Sequence, residues 1–169
     1  DNYIEKIVAD WNSKVTDEDI VILAGDYSWA MKLEDVVPDF EWLNTLKGTK
    51  IIIRGNHDYW WHSVSKVRAV LPKNVYALQN DAIKIGNYIF CGNRGWLIPE
   101  GKNNNDENNK IYARELIRLD LSLKSAQELK TGDEKIVYIT HYPPFNNKVE
   151  PNEFTEDWSN AFEKLMTVL

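Results

Sequence analysis

The stretch Ile51-Ile52-Ile53-Arg54-Gly55-Asn56-His57-Asp58 decides the fold class of this 169-residue chain. A short apolar run that passes through a glycine turn into polar side chains is typical of a β-strand ending at the carboxyl edge of a sheet. Open α/β sheets keep their functional sites at that edge. Asn56, His57 and Asp58 carry atoms that can bind a metal ion, donate a proton or orient a neighbour. We therefore expect a functional site directly after this strand.

The same pattern occurs twice more in the chain. Residues 20–24 are apolar and lead into Gly25-Asp26, and residues 136–140 lead into His141. Because the carboxyl ends of parallel strands meet at one edge, we expect the polar residues after the three strands to share one rim. Carboxylate and amide oxygens favour Mn or Mg, and imidazole extends the choice to Fe and Zn. The pattern predicts a metal-dependent hydrolase.

The periodicity of apolar residues predicts elements in the order αβαβαβββαβα, which indicates an α/β fold. We expect helices over 2–13, 35–47, 63–71, 110–130 and 157–169, and strands over 20–24, 50–54, 75–78, 82–85, 88–91 and 135–140. Gly48 is expected to end the second helix, Ser63 to cap the third, and Gly86-Asn87 to form a two-residue hairpin turn. The asparagine-rich residues 92–109 are expected to form a mobile loop.

The composition predicts a single globular domain over residues 1–169. A hydrophobic content of 43% and an aromatic content of 12% argue against disorder and against a coiled coil. The net charge of -6 argues against a nucleic-acid partner, since such proteins carry a basic face. No apolar run approaches the roughly 20 residues of a membrane span. The single cysteine, Cys91, is expected to be a buried structural thiol and is compatible with the reducing cytoplasm.

Three blocks of the sequence resemble the calcineurin-like metallophosphoesterases, in particular the bacterial predicted-phosphohydrolase type. Gly25-Asp26 looks like the second block of the family and Gly55-Asn56-His57-Asp58 like the third. His141, before Tyr142-Pro143-Pro144-Phe145, looks like the lone-histidine block. The blocks stand in the family's order and span nearly the whole chain. The resemblance implies an αββα sandwich that hydrolyses a phosphate mono- or diester at two divalent metal ions.

The resemblance also implies a role for each residue of these blocks. Asp26 would bridge two divalent ions, with Mn favoured over Fe, Zn or Mg, and Asn56 and His141 would bind the second ion. His57 would face the scissile phosphate as electrostatic stabiliser and general acid, while a hydroxide that bridges the metals attacks phosphorus. Asp58 would orient His57 or support the turn. The implied substrate is a phosphorylated small molecule or another phosphoester.

Two blocks of the family are missing from these residues. Neither Asp-x-His nor Gly-His-x-His occurs, since the three histidines are His57, His62 and His141, and His62 matches no family position. We therefore expect a piece of a longer protein that is truncated at both ends, so that the sandwich lacks its first strand and its last segment. Residues 1–169 alone are expected to bind metal poorly, to be inactive or nearly so, and to self-associate through exposed strand edges.

Other interpretations of the same residues stay open. A turn residue is the alternative interpretation of Asp26, and a turn that caps the following helix is the alternative for Asn56-His57-Asp58. His141 is alternatively a structural histidine. Arg94, on the loop after the hairpin, is either a phosphate ligand or an ordinary solvated arginine. For the whole protein, the alternatives are a non-catalytic scaffold of the same family and a nuclease of the same fold. The presence of His57 argues against the scaffold, and the acidic charge argues against the nuclease.

Several aromatic residues closely follow the predicted strand ends. They either pack helices onto the sheets or form a stacking wall for a nucleoside or an aromatic alcohol. These residues are Tyr27, Trp29, Tyr59, Trp60, Trp61, Trp96 and Tyr142.

Overall fold

The structure, a computed structural model, describes residues 2–144 and has the predicted α/β class. The helices are α1 (Tyr3–Lys14), α2 (Leu33–Asn44), α3 (Val64–Val70) and α4 (Asp106–Leu129), with a short 3₁₀ turn at Gly101–Asn103. The strands are β1 (Ile20–Leu23), β2 (Thr49–Ile53), β3 (Val75–Leu78), β4 (Asp81–Ile85), β5 (Tyr88–Asn93) and β6 (Lys135–Thr140). The predicted element order is confirmed as far as β6. The helix predicted over 157–169 lies outside the described residues.

The chain divides into two compact units between Ala77 and Leu78. The single domain predicted over residues 1–169 stays a prediction. The first unit holds a three-stranded sheet in the order β1-β2-β3, in which β1 and β2 run parallel. Because the two strands are parallel and in register, with Leu23 opposite Ile52, their carboxyl ends meet at one edge. That edge carries the turns after both strands.

The core of the first unit is built from apolar residues at helical spacing on α2. Val36, Phe40 and Leu43 are fully buried and pack with Ile52 and other buried side chains of this unit. Residues 51–53 of β2 are also buried, as expected for a continuous apolar run within a strand. This burial holds β2 firmly, and the Gly55 turn follows directly from it.

The second unit holds a sheet in the order β4-β5-β6 with α4 packed on β4 and β5. β4 and β5 form the predicted antiparallel hairpin, which turns at Gly86 with a φ of 58°. β6 runs parallel to β5. Cys91 is fully buried in the core of this unit, as predicted for a structural thiol. β6 therefore belongs to a different sheet from β1 and β2. The expectation that the residues after the three strands share one rim stays a prediction.

Two predicted helix caps differ in the structure. α2 ends at Asn44, so Gly48 is not its C-cap but lies in the following turn with a φ of 82°. A Cβ on Gly48 would lie 2.9 Å from the carbonyl oxygen of Asp19, so the turn requires glycine. Ser63 does precede α3, but its Oγ lies 2.7 Å from Oγ of Ser65 and makes no capping hydrogen bond.

The asparagine-rich tract is more ordered than predicted. α4 begins at Asp106 because the side chain of Asn105 accepts a hydrogen bond from the N–H of Asn108, which caps the helix. The Oδ1 of Asn108 accepts from Nε1 of Trp96 at 3.0 Å, and its Nδ2 donates to the carbonyl of Asn103. The loop predicted over 92–109 is therefore wrong at residues 92–93, which belong to β5, and from residue 106 onward, where α4 begins.

Within residues 2–144, none of the helices has the combination of length and apolarity that crossing a membrane requires.

Candidate active site

The turn after β1 presents Asp26 in an uncommon backbone conformation. Gly25 and Asp26 have φ values of 98° and 57°, both in the left-handed region. Aspartate tolerates this region better than most residues, at a cost of about 1 kcal/mol or more. The turn places the Asp26 carboxylate against the neighbouring turn after β2, where Oδ1 accepts a hydrogen bond from the backbone N–H of His57 at 2.8 Å.

The same carboxylate also contacts the ring of His57. Oδ2 of Asp26 lies 3.2 Å from Nδ1 of His57. The side chains are 33% and 49% exposed, so the pair is open to solvent on one side. Asp26 thus holds both the backbone and the imidazole of His57 at the carboxyl edge of the first sheet.

Asp58 is fully buried beneath this pair. Its Oδ2 accepts hydrogen bonds from the backbone N–H groups of Gly55 at 2.7 Å and Asp26 at 2.8 Å. Its Oδ1 accepts from the N–H of Tyr27 at 2.9 Å. A carboxylate suits this position because it offers about four acceptor sites and no donor that would oppose the N–H groups. Of the two roles expected for Asp58, these contacts correspond to support of the turn.

Gly55 lets the two turns approach each other closely. A Cβ at this position would lie 2.1 Å from Oδ1 of Asp26 and 2.4 Å from its backbone nitrogen. These distances are far below van der Waals contact, so a side chain here would displace Asp26. The glycine of the Gly-Asn-His-Asp stretch is therefore a condition for the contact between Asp26 and His57.

Four of the aromatic residues that follow strand ends in the first unit fall into two groups. Trp60 and Trp61 are buried in the core, which is the packing role. Trp29 and Tyr59 are 86% and 48% exposed, and both rings have centroids 6.1 Å from the imidazole of His57. An exposed histidine flanked by two exposed rings is a surface that can hold a flat or apolar group.

Arg94 and His141 lie together in the second unit, near the carboxyl ends of β5 and β6. The backbone N–H of His141 donates to the carbonyl of Arg94 at 3.1 Å. The guanidinium of Arg94 lies 4.6 Å from the centroid of the Trp96 ring, a cation–π contact. The structure therefore brings Asp26, His57 and Asp58 together in one unit and places Arg94 beside His141 in the other.

A buried carboxylate, Glu115, organises the loop that carries Arg94, and sequence reasoning missed it. Glu115 is fully buried on α4 and accepts hydrogen bonds from Nδ2 of Asn93 and the N–H of Gly95. Its Oε1 lies 3.9 Å from Nη2 of Arg94 and accepts from Arg118. The signal was available, because Glu115 precedes Leu119 by four residues on the buried face of α4.

The model of the calcineurin-like phosphoesterase family matches residues 1–164. This chain belongs to the calcineurin-like phosphoesterase family. Comparison with curated proteins gives no match. The family match confirms the resemblance carried by Gly25-Asp26, Gly55-Asn56-His57-Asp58 and His141, and with it a class of proteins that act on phosphoester bonds and generally depend on two metal ions.

The donor chemistry of this calcineurin-like phosphoesterase fits a hard divalent ion. The carboxylate of Asp26 and the amide of Asn56 belong to adjacent turns at one sheet edge, and oxygen donors of this kind suit Mn and Mg. Within residues 2–144, no three side chains of His, Cys, Asp or Glu gather closely enough to hold a metal ion. In the first unit, Asp26 and Asn56 are the residues that would contribute oxygen donors to such an ion.

Proposed function

We propose that this member of the family hydrolyses a phosphate mono- or diester with two divalent metal ions, Mn being favoured over Fe, Zn or Mg. The observation that supports the proposal most is the contact of the Asp26 carboxylate with both the N–H and the ring of His57. A carboxylate for metal and an imidazole for proton transfer are thereby fixed against each other at the edge where α/β folds bind substrates.

In this proposal Asp26 would contribute to both ions, and Asn56 and His141 would contribute to the second. The ions would supply positive charge for the phosphoryl oxygens and an activated water as nucleophile. Oxygen donors predominate in this set, which is the reason for favouring Mn. The substrate is a phosphorylated small molecule or another phosphoester.

His57 is assigned to electrostatic stabilisation and general-acid catalysis. Its Nδ1 faces Asp26, so Nε2 on the opposite edge of the ring is directed away from that carboxylate. A protonated His57 would donate from Nε2 to the departing alkoxide oxygen. Proton transfer of this kind contributes about 10²- to 10⁴-fold to the rate.

Asp58 and Arg94 are assigned supporting roles in this proposal. Asp58 acts as a positioning residue, because its hydrogen bonds to the backbone of Gly55 and Asp26 hold the two turns in place. Arg94 would bind the phosphoryl group through its planar guanidinium, whose orientation is set by the Trp96 ring.

Two further parts of the proposal concern the chain rather than the site. Residues 1–169 alone are expected to turn over little substrate, because they contain neither Asp-x-His nor Gly-His-x-His. A reducing compartment, the cytoplasm, is proposed because the lone Cys91 is buried and forms no disulfide.

The experiment is an assay of the natural gene product that carries residues 1–169. p-Nitrophenyl phosphate reports monoesterase activity, and bis(p-nitrophenyl) phosphate reports diesterase activity. Hydrolysis of either compound that is lost on chelation and restored by Mn²⁺ supports the proposal. Failure to hydrolyse both compounds with Mn, Fe, Zn and Mg each supplied would overturn it and favour the scaffold.

A further inference from the structure

The first unit contains a cavity of about 710 Å³ beside the candidate site. It is lined by residues of α1, of the segment 27–30 that follows β1, and of α2. Small-molecule sites in proteins have volumes of about 300–1,000 Å³ and are lined mainly by apolar and aromatic side chains. The cavity therefore has the dimensions of a binding site for a small organic group.

The lining combines aromatic rings with negative charge. Its aromatic members are Tyr3, Tyr27, Trp29 and Trp42, and its charged members are Asp35 and Asp39. Among the described residues that line it, none is Lys, Arg or His. The faces of aromatic rings carry partial negative charge and attract cations, and the two carboxylates add to that attraction. An anion would be repelled from this cavity, whereas an organic cation would be attracted.

One wall of the cavity is held in place before any ligand binds. The hydroxyl of Tyr27 donates to the carbonyl of Asp39, and the Tyr27 ring stacks on Phe40 with centroids 5.7 Å apart. The hydroxyl of Ser28 donates to Oδ2 of Asp39 at 2.5 Å. Burial raises the pKa of Tyr27, so its ring remains a neutral phenol. A wall fixed in this way costs little ordering on binding.

Trp29 connects the cavity to the candidate site. Its side chain lines the cavity, and its ring stacks on the imidazole of His57 with an interplanar angle of 22°. A molecule whose reacting end lies at His57 can therefore extend along Trp29 into the cavity. The part of a phosphoester that extends in this way is its alcohol group.

We propose that this cavity binds an organic ammonium group, and that the substrates are phosphoesters whose alcohol part carries such a cation. The second half of the proposal rests on the proposed phosphoesterase function, whereas the first half does not. Cation–π contacts contribute most where the cation is desolvated, so the methylated ammonium group is the best test ligand.

The experiment measures binding to the natural gene product that carries residues 1–169, in the absence of metal and substrate. Choline is the cationic probe, and 3,3-dimethylbutan-1-ol is its uncharged analogue of the same shape. The indole N–H signals of Trp29 and Trp42 in a ¹⁵N-labelled sample report on the cavity, and that of Trp96 reports on the other unit. We expect saturable shifts at Trp29 and Trp42 with choline, and at least fivefold weaker binding of the neutral analogue.

Matched variants complete the test. Asp35→Asn removes one charge from the lining and should weaken choline binding at least threefold, whereas Asp120→Asn on α4, in the other unit, should not change it. Because Trp29 is 86% exposed, Trp29→Leu should keep the fold. This variant should also weaken choline binding, measured from the indole N–H signal of Trp42. Equal binding of the two probes, shifts confined to Trp96, or the absence of saturation would overturn the proposal. None of these results depends on turnover, so the phosphoesterase function is tested separately by the hydrolysis assay described above.

Discussion

The buried carboxylate of Asp58 accepts a hydrogen bond from the backbone N–H of Asp26, 2.8 Å from Oδ2, although the two residues are 32 positions apart. The same oxygen accepts from the N–H of Gly55. One side chain thus joins the turn after β1 to the turn after β2. The contact between Asp26 and His57 depends on this connection, because Asp26 and His57 belong to these two turns.

Replacing Asp58 with asparagine should destabilise the protein although the side chain keeps its size. Both oxygens of Asp58 accept hydrogen bonds from backbone N–H groups, and in asparagine one of these oxygens becomes an NH₂ group that cannot accept. Hydrogen bonds to a charged group are worth about 1.5–3 kcal/mol each. We expect Asp58→Asn to lower the free energy of unfolding by about 2–4 kcal/mol in urea titrations. The control is Asp120→Asn, a half-exposed residue that loses a surface ion pair with Lys124, and it should change the free energy of unfolding by less than about 1 kcal/mol. Equal stability of both variants would show that the buried carboxylate does not hold the turns.

Gly55→Ala tests the close approach of the two turns. The added Cβ would lie 2.1 Å from Oδ1 of Asp26, so the carboxylate must move away from His57. We expect a loss of about 1–3 kcal/mol in unfolding free energy and a clear shift of the His57 amide signal in NMR spectra. Gly132→Ala is the matched control, because its Cβ would meet nothing closer than 3.7 Å. An unchanged His57 amide in Gly55→Ala would argue against the contact.

His57→Gln should lower kcat in the natural gene product by about 10²- to 10⁴-fold, since glutamine cannot donate a proton to the leaving oxygen. The loss should be smaller for p-nitrophenyl esters than for esters of poorly acidic alcohols, because p-nitrophenolate leaves without protonation. His62→Gln is the control, because His62 is exposed and matches no family position. A similar loss in both variants, or the same loss with good and poor leaving groups, would contradict general-acid catalysis by His57.

Cys91 should not react with thiol reagents while the protein is folded. Burial raises the pKa of its thiol to about 12, so the reactive thiolate is scarce even at pH 9. Because the folded-state pKa lies above the unfolded value, this group's contribution to stability is lost as the pH rises from about 9 towards 12. We expect no colour with Ellman's reagent at pH 8 until urea unfolds the chain. Rapid labelling without urea would show that Cys91 is accessible.

Much of the fold was predictable because it depends on local periodicity. The strand at 135–140 and the hairpin turn at Gly86 are where the sequence predicts them. The start of α4 was not predictable from the sequence, because a run of asparagines resembles a loop unless one of them caps a helix, as Asn105 does. The assignment of β6 to a second sheet was also missed, since strand partners are chosen by long-range packing.

The candidate site also has features that the sequence predicts and features that it does not. A strand followed by Gly-Asp or Gly-Asn-His-Asp predicted which residues reach the edge of the sheet. The hydrogen bonds that the Asp58 carboxylate accepts from backbone N–H groups join segments about 30 residues apart, and no local pattern reveals them. Nor does the sequence distinguish the exposed Trp29 from the buried Trp60, because both follow strand ends and their exposure is set by tertiary packing.

The most direct test of the central claim is the metal dependence of Asp26→Asn in the natural gene product that carries residues 1–169. Metal content and hydrolysis of p-nitrophenyl phosphate and bis(p-nitrophenyl) phosphate are measured together after reconstitution with Mn²⁺, with Asp120→Asn as the control. If Asp26 bridges the two ions, Asp26→Asn should lose bound metal and at least a hundredfold in kcat, while the control keeps both. An Asp26→Asn protein that retains its metal and its activity would contradict the account.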